Sequence, residues 1–513
     1  MMAITDPIEL DDLTPGSFAG RPVAVLGLAR SGLALARYLH DRGAHVTVYD
    51  GRPASELAEA IGALDDRDVT LRLGPTVDPA AVLAGQALVA TSPSINSRYP
   101  TTEPRLRSAL RELEAAGRVP VISEVDLFLR LCPAITIGVT GTKGKTTTAS
   151  LIAAVLAEGP DPVLLGGNIG TPLVERLPGL TTHHRVVVEL SELQLPTLSR
   201  GTDVSVYTHV TVDHVDRHGS IDAYRSVKRL LARLAPATGA LVLNDEDPVS
   251  RGWDEGSAAR VVRYRRIAPP MGGIGVEDGW VVADAVDPLT ADNVPGLDGP
   301  IVSLGDIPLP GWHSVSNVAA AVAVGALFGL SAEAIGSGVR RFEGVEHRLE
   351  PVATVDGVRF VNDSQGTQPD AVIAAVRSFA PPVVLICGGR AKGLAMDDLA
   401  VVVAERVTAA VLIGESGPEL GALFQAAGLE HIERAGSMDE AVRTADGIAR
   451  AARGTAHMVA GGGADDATGE PATVLLSPAA ASFDMYPDYT ARGRDFKRAV
   501  ADLIAARSPA VDR

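Results

Sequence analysis

The chain has 513 residues, 46% hydrophobic but only 4% aromatic, with 46 Lys+Arg against 63 Asp+Glu for a formal charge of −17. That length exceeds one ordinary core and predicts about three domains, while the acidic balance excludes a nucleic-acid binder, which needs a basic surface to displace counterions. The two cysteines, Cys132 and Cys387, have neither redox nor metal-ligand spacing, and with no signal peptide and no run of membrane-spanning length the expectation is a cytoplasmic protein.

After a polar leader, Arg21 to Leu26 reads as a strand, GLARSG (Gly27 to Gly32) as a phosphate-type turn, Ser31 to Arg42 as a helix, and Ala44 to Tyr49 as a second strand ending in Asp50. This is the first half of a Rossmann-like unit, with an acidic residue placed to meet a ribose hydroxyl. The middle glycine of G-x-G-x-x-G is Ala29, which leaves a nicotinamide dinucleotide, another nucleotide and a purely structural turn all open. Ala87 to Thr91 reads as a further strand that breaks at Ser92-Pro93-Ser94, because proline cannot continue a ladder. Such a strand end faces a ligand or simply stops. Arg105 to Ala116 reads as a charged surface helix, and Pro120 to Pro133 as the link to a second domain.

The second domain opens on AITIGVTGTKGKTTTAS, residues 134–150. An apolar strand enters a loop built on Gly141 and Gly144, and Lys145-Thr146-Thr147 opens a helix. Backbone N–H groups and a helix N-terminus then face phosphate oxygens, Lys145 supplies a point charge and Thr146 a hydroxyl for Mg²⁺. The spacing is T-G-T-x-G-K-T-T rather than the strict G-x-x-x-x-G-K-[ST]. Beyond it, LLGGNIGTP (Leu164 to Pro172) reads as a Gly-rich loop around Asn168, and VVVELSELQL (Val186 to Leu195) and VSVYTHVTVDHVDRH (Val204 to His218) as strands running into polar residues. Glu189, at a strand end, suits Mg²⁺, which prefers few carboxylates and several waters; the bland alternative is a solvated carboxylate. His209, His214 and His218 suggest zinc, but no clustered cysteines complete such a set. Lys228, on a helix from Asp222 to Leu234, has the ordinary reading of a solvated lysine. Residues 265–300 read as an extended loop or small β insertion, and Leu309 to Leu330 as a polar turn followed by a long buried helix.

A third α/β domain starts near GVEHRLE (Gly344 to Glu350), with strands at Val358–Asn362, Val383–Cys387, Ala410–Ile413 and Thr473–Leu476. Lys392 in GGRAKG is either an anion holder or a plain loop lysine. SPAAASFDMYPDYTARG (Ser477 to Gly493) ends a strand with hydroxyls and a helix start, suited to a carboxylate. Residues 461–473 read as loop.

Taken together, TGTKGKTTT, GGNIG, ELSELQL, HVTVDHVDRH, HRLE, NDSQGTQP, GGRAKG and LLSPAAASFD occur in the order found in the ATP-dependent Mur ligases of peptidoglycan synthesis. The chain resembles that family over about Val23 to Phe496, and within it the member that adds D-glutamate. The resemblance implies three domains: a Rossmann-like UDP-substrate domain (1–130), a central P-loop ATPase with a parallel or mixed sheet (131–344), and a Rossmann-like amino-acid domain (345–513). It implies UDP-substrate contacts from Arg30, Ser31, Asp50, Arg52, Ser94 and Asn168. ATP would be held by Gly141, Thr142, Lys143, Gly144, Lys145, Thr146, Thr147, Asn317, Arg348 and Asp363. One Mg²⁺ would lie at Thr146 and Glu189 and a second at His214 and a carbamylated Lys228, with Lys145, Glu189, His214 and Lys228 as the catalytic set. D-glutamate would meet Thr367, Lys392, Ser482 and the backbone of Tyr489. The implied enzyme is a cytoplasmic monomer using ATP, two Mg²⁺, UDP-N-acetylmuramoyl-L-alanine and D-glutamate, with no nucleic-acid or membrane partner. Rivals are another ligase of the family, a folylpolyglutamate-synthase-like ligase, a non-enzymatic nucleotide-binding regulator, and a nicotinamide oxidoreductase. NDSQGTQP departs from many relatives, with Gln365 and Gln368 in place of Lys and Asn. That predicts a missing positive charge near the reacting carboxyl.

Overall fold

The computed structural model describes residues 6–99, 102–211, 219–289, 295–309, 311–391, 394–459 and 470–507. The chain is α/β throughout, as its alternation of Val-rich runs with helical periods predicts. It divides into two compact units, one of Met1–Pro308 with Trp312–Phe342, the other of Leu309–Gly311 with Glu343–Arg513.

The first unit carries two sheets. In the first, β1 (Pro22–Leu26), β2 (His45–Asp50), β3 (Thr70–Leu73), β4 (Leu88–Thr91) and β5 (Val121–Ser123) run parallel in the order β3-β2-β1-β4-β5. The segment expected as a linker, Pro120 to Pro133, is instead the edge strand β5 and the helix Glu124–Leu131. Ser123 starts that helix by accepting from Asp126 N, and Val125, Leu127, Phe128 and Leu129 are all buried. Its apolar residues are core, and no composition shift marks them as anything else.

The second sheet comprises β6 (Ile135–Thr140), β7 (Val163–Gly167), β8 (Arg185–Glu189), β9 (Val204–Tyr207), β10 (Ala240–Asn244), β11 (Arg260–Tyr264), β12 (Ile274–Glu277), β13 (Trp280–Val286) and β14 (Leu297–Ser303), in the order β14-β13-β12-β11-β10-β9-β6-β8-β7. The strands from β7 to β12 are parallel, and β13 and β14 extend the sheet antiparallel. The stretch 265–300 is thus a β extension, one of its two expected forms. Leu164 to Gly167, expected as loop, is most of edge strand β7, because pairing with β8 overrides the weak strand preference of its glycines. The Ala- and Val-rich helix Trp312–Leu327 has every residue from Asn317 to Leu327 buried, and it packs on the Lys145–Leu156 helix and across β10 to β13.

In the second unit, β15 (Glu350–Val355), β16 (Val358–Asn362), β17 (Val383–Gly388), β18 (Ala409–Ile413), β19 (Ile432–Arg434) and β20 (Ala472–Leu476) form a sheet in the order β15-β16-β20-β17-β18-β19. All pairs are parallel except β15 with β16. The sequence expectation missed the two edge strands: β15 and β19 are largely exposed or half-buried and carry no continuous apolar run.

Candidate active site

The phosphate-type loop begins where β6 ends. Val139 lies beside Glu189 of β8, and Thr140 beside Tyr207 of β9. Both neighbours therefore deliver side chains to the carboxyl end of a parallel sheet, where ligands bind in open α/β folds. Gly141 has φ +151°, and a side chain there would collide with Thr208 Oγ1. Gly144 has φ +86°, and its Cβ would stand 2.7 Å from Asn317 Oδ1. Only glycine satisfies both backbone shape and clearance. The loop is pinned from outside. Thr142 N and Lys143 N donate to His209 O at 2.7 and 3.2 Å, Thr142 Oγ1 is 2.8 Å from Tyr224 OH, and Thr208 Oγ1 donates to Lys143 O at 2.6 Å. Thr148 Oγ1 donates to Asn317 Oδ1 at 3.1 Å, so Asn317 stands behind the loop.

The helix starts at Lys145 with no acidic residue in its first turn, leaving its positive end unopposed for an anion. Lys145 Nζ curls back to donate to Gly141 O at 3.2 Å and Thr142 O at 3.1 Å. Thr146 is buried and Thr147 half-buried.

Glu189 is not the solvated carboxylate of the bland alternative, being 1% exposed. Its Oε1 accepts from Asn168 Nδ2 at 2.9 Å, and Asn168 N donates to Glu189 O at 2.9 Å. Its Oε2 is buried with no hydrogen-bond partner among the described residues. A carboxylate oxygen left bare in the interior is costly unless a cation or donor completes it. Among the described residues no group of three or more His, Cys, Asp or Glu could hold a metal ion by itself. A single carboxylate at the end of the strand beside the phosphate loop fits Mg²⁺, whose remaining ligands are waters and phosphate oxygens.

Lys228 overturns its ordinary reading. It is 0% exposed, its Nζ donates to Thr140 Oγ1 at 3.4 Å and lies 5.6 Å from the Tyr224 ring centroid. The amine therefore sits at the base of the phosphate loop. His209, half-exposed, has Nδ1 3.9 Å from Asp247 Oδ1. His214 and His218 lie outside the described residues, and with them the zinc set and the second-cation partner of Lys228.

In the first sheet, Asp50 Oδ2 accepts from Leu28 N at 2.8 Å, and Oδ1 from Arg52 N at 3.0 Å and Nε at 3.1 Å. Burial pushes this carboxyl up, but the Arg52 fork and the two backbone donors outweigh it and hold it below the usual carboxylate range. Asp50 thus ties the glycine turn to the end of β2. Arg30, Arg52 and Ser94 are exposed and Ser31 half-buried. Ser92, passed over in the sequence, has a buried Oγ with no partner among the described residues, beside the closest approach of Gly27 and Gly32.

In the second unit, Asp363 Oδ2 accepts from Ser477 Oγ at 2.6 Å and Oδ1 from Leu349 N at 3.2 Å. Burial pushes its carboxyl up to about 6, against those donors and the charge of Arg348. Thr367 N donates to Gln365 O at 2.7 Å, and Gln365 Oε1 is buried without a partner among the described residues. Ser482 is 3% exposed. The Tyr489 carbonyl accepts from Ser364 Oγ at 2.7 Å. Lys392 lies outside the described residues. The structure therefore groups Thr146, Glu189, Asn168, Asn317 and Lys228 around one sheet end, and Asp363, Thr367, Ser482 and Tyr489 around another. Ser477 reads from the sequence only as one of the strand-end hydroxyls of SPAAAS, because its bond to Asp363 appears only when β20 pairs beside β16.

Three family profiles match the chain: a MurD-like N-terminal domain of Mur ligases at 21–112, a Mur ligase middle domain at 139–325, and the glutamate ligase domain of Mur ligases at 347–463. A UDP-N-acetylmuramoylalanine--D-glutamate ligase of Symbiobacterium thermophilum is 37% identical over 484 residues, covering 94% of this chain and 98% of the relative. One of the same name from Pelotomaculum thermopropionicum is 35% identical over 494 residues, covering 95% and 98%. Among solved structures, the fold is similar to UDP-N-acetylmuramate-alanine ligase MurC of Thermotoga maritima, with TM-score 0.53, 16% identity and coverage of 95% and 100%. It is also similar to MurF of Acinetobacter baumannii, with TM-score 0.53, 15% identity and coverage of 96% and 93%.

Proposed function

The chain belongs to the Mur ligase family, and from that premise we propose that it joins D-glutamate to UDP-N-acetylmuramoyl-L-alanine at the expense of ATP. The single observation that carries the acceptor and the amino acid is the similarity over 94% of the chain to a relative named for that reaction.

The reaction has two steps. The L-alanine carboxylate attacks the γ-phosphorus of ATP, releasing ADP and leaving an acyl phosphate. The D-glutamate amine then adds to the acyl carbon, and the tetrahedral intermediate expels phosphate as the amine gives up its proton. A free carboxylate is a poor acyl donor, and phosphorylation supplies the leaving group. Catalysis is then positioning and charge neutralisation. The backbone of Gly141 to Thr147 and the first turn of the Lys145 helix bind the phosphates, and the Lys145 ammonium exchanges its two carbonyl partners for them. Glu189, oriented by Asn168, and Thr146 hold Mg²⁺, which when bound screens the converging negative charges. Asn317 buttresses Gly144. Lys228, once its amine has added to CO2 and lost a proton, would offer a carbamate oxygen to a second cation together with His214; the complete burial of the amine against Thr140 supports this role. Arg348 and Asp363 meet the rest of the nucleotide, and Thr367, Lys392, Ser482 and Tyr489 the amino acid. Arg30, Ser31, Asp50, Arg52 and Ser94 bind the uridine nucleotide, with Asp50 already oriented by Leu28 N–H. The domains of this assembly are 1–130, 131–344 and 345–513, and the enzyme acts as a cytoplasmic monomer. Among the described residues no helix is long and apolar enough to cross a membrane.

The test is phosphate release from ATP with UDP-N-acetylmuramoyl-L-alanine across a panel of amino acids. Release with D-glutamate alone is expected. Release with L-glutamate on a folate acceptor instead, or none with any amino acid, refutes the reading.

A further inference from the structure

Arg492 is the largest fully buried side chain among the described residues, at 1% exposure. Arginine is seldom buried without a carboxylate, since an unpaired interior charge forfeits its hydration. Here the acceptors are a hydroxyl and two carbonyls. Nε donates to Ser364 Oγ at 3.1 Å, Nη2 to Ser364 O at 2.9 Å and Ala480 O at 3.2 Å, and Nη1 to Ala480 O at 3.2 Å. Asp484 acts on it only through space, and its Oδ2 accepts from Glu415 N at 2.9 Å. Burial lowers the guanidinium to about 10, so it stays charged near neutrality.

The groups it joins belong to three separate stretches. Ser364 is three residues before Thr367, and its hydroxyl also donates to Tyr489 O at 2.7 Å. Ala480 is two residues before Ser482. A fourth stretch closes against them, since Arg390 N donates to Ala481 O at 2.8 Å and Ala481 N to Arg390 O at 3.0 Å. A Cβ on Gly389 would stand 3.2 Å from Arg492 Nη1. The fork of one guanidinium thus adds side-chain ties between the Tyr489 segment and two segments that already meet through the backbone, Asp363 N donating to Leu476 O at 2.8 Å and Ala479 N to Gly366 O at 2.9 Å, and a lysine offers one point charge in place of that planar array.

We propose that Arg492 is a positioning residue of the amino-acid site: it locks together the segments carrying Thr367, Ser482 and Tyr489, and its cation, unmatched by any direct carboxylate, makes that site select an acidic amino acid. The proposal deepens the ligase reading and rests on it. A bound dicarboxylate adds negative charge to what Asp484 supplies through space. A neutral isostere gains nothing from it.

The experiment compares wild type with Arg492→Lys and Ser364→Ala, measuring KM separately for D-glutamate, ATP and UDP-N-acetylmuramoyl-L-alanine, with D-glutamine as a neutral competitive inhibitor. In Arg492→Lys the KM for D-glutamate is expected to rise about tenfold with the other two within about twofold, because only the amino-acid site loses its geometry. In Ser364→Ala, which removes one small hydroxyl and leaves the buried charge, a rise of about threefold confined to D-glutamate is expected. An Arg492→Met variant should lose affinity for D-glutamate far more than for D-glutamine, a difference that general loosening of the fold cannot produce. Unchanged KM for D-glutamate in both Arg492→Lys and Ser364→Ala overturns the proposal. If Arg492→Lys does not fold, Ser364→Ala decides alone. Failure of the wild type to use D-glutamate overturns the ligase reading instead, so the two failures are distinct.

Discussion

Replacing Glu189 by glutamine should make the metal-free protein more stable and the enzyme far less active. The carboxylate is 1% exposed, with Oε1 satisfied by Asn168 and Oε2 bare. An unsatisfied buried polar group costs about 1–3 kcal/mol, more when charged. Glutamine keeps the Asn168 bond through its oxygen and replaces the bare anionic oxygen with a neutral amide NH2, removing the charged excess, on the order of 1–2 kcal/mol. For a large domain that is a rise in Tm of about 2–4 °C. With Mg²⁺ and nucleotide the order reverses: wild type gains binding free energy that the variant does not, and turnover in the variant should fall by at least about a hundredfold through lost charge neutralisation. Thermal unfolding with and without Mg²⁺ and nucleotide, alongside phosphate release, reads both arms. A variant that melts no higher than wild type without metal, yet turns over at the wild-type rate, refutes the assignment of Glu189 as a cation ligand.

Lys228→Ala should abolish turnover, and added short carboxylic acids should partly restore it by reoccupying the oxygen-ligand position; a fully active variant removes the carbamate role. Asp363→Asn gives a pH signature. The folded carboxyl lies at about 6 against an ordinary 3.8, so between those values the folded state binds more protons than the unfolded one, and wild-type stability falls as pH rises through that window. The asparagine variant lacks this loss. Its stability relative to wild type should therefore climb between about pH 4 and pH 6 and then level off, measured by urea unfolding; a difference independent of pH contradicts the burial argument.

Local sequence sufficed for the α/β class, the phosphate loop and ten of the twenty described strands. Apolar runs, glycine turns and helix starts are short-range signals, and Gly141, Gly144 and Lys145 carry theirs within a few residues. The resemblance supplied the acceptor and the amino acid, which no loop could name. Burial and partnership were a different matter. Lys228 sits on a helix whose sequence permits a solvated lysine, and only the packing of that helix, tied to β9 by Tyr207 OH donating to Lys228 O, places its amine against Thr140. Glu189 could have faced water, but β8 lies between β6 and β7, which encloses it and leaves one oxygen bare. The Pro120–Pro133 stretch looked like a linker because a three-residue edge strand and an eight-residue helix buried along most of its length produce no period long enough to detect. Arg492 is the clearest case. Its neighbours Ser364 and Ala480 are 128 and 12 residues away in sequence, and a buried arginine bound only by a hydroxyl and two carbonyls exists only after β16, β17 and β20 have paired, because contacts of that separation are made by the sheet and not by the chain.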